Sequence, residues 1–96
     1  MFTMLITLPY IRVIRRIHNN SQQIIETEEY LTLYEDKVVS ANDHFKMEDI
    51  LDMSYRPFND RNGFLYFHTI RGLYSFHLKT DPNAFMTIYK KIRLTI

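Results

Sequence analysis

Two alternating runs near the C-terminal end constrain the fold most: Gly63 to Ile70 (GFLYFHTI) and Leu73 to Lys79 (LYSFHLK). Successive side chains in an extended strand point to opposite faces. One face of this pair carries Leu65, Phe67, Thr69, Tyr74, Phe76 and Leu78. The other carries Phe64, Tyr66, His68, Ile70, Leu73, Ser75, His77 and Lys79. The first is the more apolar and is expected to line the core. With Arg71-Gly72 as the turn, Phe67 would face Phe76 and Leu65 would face Leu78. A slip of one residue would exchange the two faces.

The helix signal follows directly. Asp81 is a good N-cap and Pro82 a good first helical residue. Phe85, Ile88, Tyr89 and Ile92 then share one face, and Lys90, Lys91 and Arg93 suit the negative end of the helix dipole. The spacing predicts a helix over about 82–94. Upstream, Tyr30 to Glu35 alternates with Leu31 and Leu33 inward, and Glu35-Asp36-Lys37 turns into Val38-Val39. Asn42-Asp43 marks another turn before Phe45. Met47 to Leu51 reads as a short turn or helical link, and Asp52 to Arg56 as a strand stopped by Pro57. Tyr10 to His18 and Gln22 to Thr27 are strand-like, joined through Asn19-Asn20-Ser21. Ile11, Ile14 and Ile17 also fit helical spacing. Both glycines, Gly63 and Gly72, are expected to mark tight turns. Six or seven short strands followed by one helix imply an α+β domain: a small antiparallel β-barrel or sandwich whose open end the helix covers.

The 96 residues suffice for one domain, spanning 1–96. The 46% apolar content and net charge of +1 argue against disorder. There is no cysteine, which excludes disulfides and thiolate chemistry and favours the cytoplasm. The opening residues lack the basic start and small-residue cleavage site of a signal peptide. No stretch approaches the ~20 apolar residues of a membrane-spanning helix. Charge is uneven. Residues 1–25 carry +3, from Arg12, Arg15 and Arg16 with no acid; residues 26–60 carry −7; residues 61–96 carry +5. Ion pairing between segments that meet in the fold is the expectation.

The order of strands and helix resembles the pleckstrin-homology-like (PH-like) fold. The local sequence resembles small bacterial PH-like domains over roughly residues 28–92. The matching stretches are Tyr30 to Val39, Phe45 with Asp49-Ile50, Met53 to Arg56, Gly63 to Thr69, Gly72 to Phe76, Asp81-Pro82, and Phe85 with Tyr89-Lys90. The resemblance implies a non-enzymatic module, often self-associating or held beside other domains. The basic first loop with which eukaryotic members hold phosphoinositides has Arg12, Arg15 and Arg16 as its only counterparts here.

Chemistry-bearing groups are sparse. His68 and His77 are expected on one outer face, where two imidazoles could share a metal or His68 could activate Ser75. A third ligand, an oxyanion donor and an orienting acid are all missing from the pattern. Two surface histidines are the plainer reading, so no catalytic residue, metal ligand or cofactor site is assigned. Asp49 is placed to cap a turn or to pair with Arg56. A candidate protein interface comprises Phe2, Leu5, Phe64, Tyr66, Ile70 and Leu73, since large exposed apolar patches mark interfaces. A candidate anion site comprises Arg12, Arg15 and Arg16, joined by Arg71, Lys90, Lys91 and Arg93 if these converge. The expected function is therefore protein binding, to itself or to a partner. The alternative is binding of anionic lipid headgroups or nucleic acid.

Overall fold

In a computed structural model, residues 3–95 are described. Seven strands precede one helix: β1 Ile6–His18, β2 Ser21–Leu33, β3 Lys37–Val39, β4 His44–Lys46, β5 Ile50–Pro57, β6 Gly63–Thr69, β7 Gly72–Leu78 and α1 Asn83–Leu94. They form one antiparallel sheet in the order β4-β3-β2-β1-β7-β6-β5. The chain is thus α+β. The sheet is not closed into a barrel: β4 and β5 remain its two edges. A single 3₁₀ turn, Met47–Asp49, connects those edges, where a short link was expected. The sheet is curled so that its ends approach. Phe45 on β4 lies edge-to-face with Phe67 on β6 at 5.3 Å and with Tyr74 on β7 at 4.9 Å. Arg71 reinforces this by donating to the His44 carbonyl at 3.2 Å while lying over the Phe45 ring.

The inward face of the β6–β7 hairpin is as expected, with Leu65, Phe67, Thr69, Phe76 and Leu78 buried. Its register is not. Thr69 pairs with Gly72, Phe67 with Tyr74 and Leu65 with Phe76. The turn is Ile70-Arg71, because Thr69 Oγ1 donates to the Gly72 carbonyl at 2.8 Å and accepts from Arg71 N–H at 3.1 Å. A shift of two residues preserves the faces. Phe67 and Phe76 still touch diagonally, their centroids 4.9 Å apart. Gly72 begins β7 with φ +128°, a conformation that needs glycine. Gly63 is not a turn residue. It opens β6, and a Cβ there would collide with the Tyr55 ring.

The helix begins at Asn83, one residue later than expected. Pro82 takes the N-cap position and Asp81 Oδ1 accepts from the Asn83 N–H at 2.9 Å. Phe85 and Tyr89 are its buried anchors, with Ile88 and Ile92 partly covered. Tyr89 donates to the Ile50 carbonyl at 3.3 Å, and burial pushes its phenol pKa up. Among the described residues no helix is long and apolar enough to cross a membrane.

Phe67→Ala should cost about 3–5 kcal/mol of unfolding free energy, the usual loss for a buried ring. Ile17→Ala should stay within about 0.5 kcal/mol, as for surface sites. Gly63→Ala should cost about 1–3 kcal/mol through overpacking against Tyr55. Denaturant titrations of the three variants check the ranking.

Candidate functional site

The longest elements in the chain are β1 and β2, thirteen residues each and paired along their whole length from Ile6↔Leu33 to His18↔Ser21. The strand reading of 10–18 therefore prevails over the helical one. The two segments read as separate strands, 22–27 and 30–35, fuse into a single β2. Asn19 and Asn20 close the hairpin with φ 50° and 65°. Two consecutive positive φ values make the type I′ turn that matches strand twist, and asparagine tolerates them.

The neighbours of this hairpin are short. β7 pairs with β1 only at Ile11↔His77. β3 pairs with β2 only at Thr32↔Val39 and Leu33↔Val38. Residues 12–18 and 21–27 therefore form a two-stranded arm with both outer edges unpaired, and the outer edge of β2 stays unpaired on to residue 31. The arm makes the molecule 52 × 30 × 24 Å, with a radius of gyration of 14.8 Å against roughly 12.5 Å for a compact chain of this length. The accessible surface, 6733 Å², likewise exceeds the roughly 5,900 Å² expected for this mass.

The cross-strand register assigns the arm's faces. One carries Val13, Arg15, Ile17 and Ile24, with Ile24 directly across from Arg15. Val13, Ile17 and Ile24 are 50%, 84% and 63% exposed. The other carries Arg12, Ile14, Arg16 and His18, with Ile14 across from Ile25. Arg12 and Arg16 thus share one face and Arg15 takes the opposite one. Along the arm, the tip is acid-free from residue 11 to 25, and Glu26, Glu28 and Glu29 stand at its root.

The ion pairing expected between segments is nearly absent. Among the described residues one salt bridge forms, Lys79–Glu26 at 4.0 Å between two exposed side chains. Within the arm the register sets Arg12, Arg15 and Arg16 opposite Thr27, Ile24 and Gln23, so no arginine faces a glutamate. The remaining bases do not join them. Arg71 is held at the His44 carbonyl, and Arg93 donates to the Met47 carbonyl at 3.4 Å. Lys90 and Lys91 lie on α1.

The other candidate residues are dispersed. Phe2 lies outside the described residues. Leu5 extends the β1–β2 pairing by donating to the Leu33 carbonyl at 2.8 Å and lines a groove of about 420 Å³ beside Ile88 and Ile92. Phe64 and Tyr66 are half-buried on the outer sheet face, where Phe58 lies 5.2 Å from the Phe64 ring. Ile70 and Leu73 are exposed at the β6–β7 turn, the end of the sheet that also carries exposed Leu51. His68 and His77 share the outer face but lie two rows apart, with Tyr66↔Ser75 between them. His68 Nε2 meets Ser54 Oγ at 2.9 Å rather than Ser75, and His77 Nε2 meets Asn62 Oδ1 at 3.0 Å. Among the described residues no group of three metal-ligating side chains forms. Asp49 contributes its backbone carbonyl, which accepts from Ile70 N–H at 3.0 Å; no Asp49–Arg56 pair forms among the described residues.

Where β1 leaves β7, a cleft of about 270 Å³ opens between Tyr10, Val13, Asn42, Tyr74 and Ser75. Tyr10 Oη at its floor accepts from the Ala41 N–H at 3.1 Å. Comparisons of the chain found no family model, no curated protein and no solved structure that it matches.

Asn20→Val should strain the arm's turn by about 1–3 kcal/mol, the cost of a β-branched residue at positive φ. Hydrogen exchange should then report faster amides at 12–18 and 21–28. Core amides at 65–67 should keep their protection, because the turn lies far from Phe67.

Proposed function

We propose that this chain is a non-enzymatic interaction module that binds protein, and that the projecting β1–β2 arm is its docking element. The carrying observation is the arm's pair of unpaired edges together with exposed Val13, Ile17 and Ile24. An isolated two-stranded hairpin is marginal in water, and an open edge is a template for a further strand. Strand addition satisfies the free backbone groups and sets the added strand's side chains laterally against the apolar residues of the edge. We read the seven strands and terminal helix as a PH-like domain working in a bacterial cytoplasm. The cysteine-free chain is in keeping with that compartment. The scattered histidines supply no convergent acid, base and nucleophile for catalysis.

A second reading rests on a separate observation: Arg12, Arg15 and Arg16 have no carboxylate within 4.0 Å among the described residues. An acid-free tip of this kind could meet anionic headgroups or nucleic acid. Against it, the arginines divide between two faces, and the glutamates at the root repel the same ligands.

A photo-crosslinking residue at Ile17, installed in cells, should yield protein adducts. The same residue at exposed Thr87 on the helix should yield few. Equal labelling at both positions removes the arm as the docking element. For the second reading, binding to anionic vesicles or oligonucleotides should fall steeply with salt and weaken in Arg15→Glu; salt-independent binding rejects it.

A further inference from the structure

The partner that the arm's edges fit is a second copy of this chain. A two-residue hairpin closes on a pair that exchanges both hydrogen bonds, and bonded and non-bonded pairs then alternate along the ladder. With His18↔Ser21 as the closing pair, Arg16↔Gln23, Ile14↔Ile25 and Arg12↔Thr27 are bonded. The N–H and C=O groups of Gln22, Ile24, Glu26 and Glu28 therefore point away from β1, towards the open edge of β2.

The two open edges are not equivalent as pairing surfaces. An antiparallel pair of β1 edges about a twofold axis centred on Arg15 or Arg16 sets that arginine against its own copy. Centred on Ile14, it sets Arg12 against Arg16. Like charges directly opposite destabilise a sheet. The β2 edge behaves differently. Centred on Ile25, it sets Ile25 against Ile25, Ile24 against Glu26, Gln22 against Glu28 and Ser21 against Glu29. Every glutamate then faces a neutral residue. Moving the axis to Glu26 would oppose glutamates instead.

We propose that two copies pair antiparallel through their β2 edges in this Ile25-centred register, making a continuous four-stranded sheet β1-β2-β2-β1. The proposal rests on the reading of the arm as a docking element and names its partner. Three features converge on it. One face gains a row of four isoleucines, Ile14-Ile25-Ile25-Ile14, where each half is now a lone cross-strand pair. β-Branched neighbours of this kind stabilise pairing. The acid-free tip of each arm, carrying the arginines that lack an ion pair, comes to lie along the partner's root with its three glutamates. The overlap from Ser21 to Glu29 also ends at the body of the partner, where Tyr30 to Leu33 approach β3. A twofold pairing closes on itself and leaves β1 on both outer edges, guarded by arginine.

The chain has no cysteine, so single-cysteine variants are clean probes. A non-bonded antiparallel pair brings Cα atoms to about 4.5 Å, within disulfide reach. Ile25→Cys should form a disulfide-linked dimer under mild oxidation, whereas Ile14→Cys, in the same row but one strand out, should form no crosslink. In sedimentation equilibrium the mass should rise with concentration from 11.7 kDa towards twice that value. Ile24→Pro, which removes an outward donor without touching the β1 ladder, should abolish the rise. Arg15→Pro on the other edge should leave it intact. If Ile24→Pro disturbs folding, the two cysteine variants still decide. A mass that stays at one chain, or equal crosslinking by both cysteine variants, overturns the proposal. If arm-dependent adducts with a different protein, or salt-sensitive binding to anionic vesicles, accompany a monomeric chain, the second copy is excluded as partner. Loss of the Ile17 adducts as well would remove the docking reading itself.

Discussion

The contact on which the rest of the structure depends is the Phe45 ring. It sits on an edge strand of only three residues, which no ladder beyond β3 supports. From there it reaches Phe67 and Tyr74 edge-to-face and approaches Phe76 at 6.4 Å. Aromatic pairs in this geometry contribute about 0.5–1.5 kcal/mol each beyond the area they bury. That energy bends an open sheet until its two ends share one core. Arg71 adds a tie at the same place through the His44 carbonyl and the faces of Phe45 and Tyr74. The curl then gives α1 a surface to cover, and Phe85 and Tyr89 seat there.

The curl has a second consequence. β3 and β7 serve the core, and each leaves the β1–β2 hairpin once the core is covered. β7 departs after Ile11 and β3 after Thr32. The hairpin continues without them, held by its own ladder and by a turn of two asparagines. Its alternation also continues: Ile14 and Ile25 extend the inward face of Leu8, Tyr10 and Leu31 past the end of the core, while Val13, Ile17 and Ile24 stand exposed on the opposite face. The arm is therefore a part of the described chain whose local pattern and surroundings disagree. Such disagreement marks function more often than error.

Much of the core was legible from alternation alone. Leu31, Leu33, Leu65, Phe67, Phe76, Phe85 and Tyr89 are all buried, and each stood on the face its spacing assigned. The turn geometry was less legible. The β6–β7 register depends on where the Thr69 hydroxyl finds partners, and hydrophobic alternation is blind to a shift of two. The roles of the bases were hidden as well. Arg71 and Arg93 look like Arg12 in the sequence, yet both are occupied by backbone carbonyls from distant segments. The candidate interface was only partly visible. Phe64 and Tyr66 are half-covered by the sheet and by Phe58, while the more exposed arm was overlooked. One signal for it was present: Asn19-Asn20 has alternating residues of equal length on both sides, a longer hairpin than the one at Ile70-Arg71.

What the sequence determined by itself is which side chains go inward, since a strand's period of two and a helix's period of 3.6 are local properties of the chain. Only the tertiary structure decided which backbone groups stay unpaired. Whether the Ile24 amide has a partner depends on where β3 ends, and that is settled by a turn ten residues away and by the core it serves. Edge occupancy is a non-local property, and in this chain it is what distinguishes an interior strand from an arm.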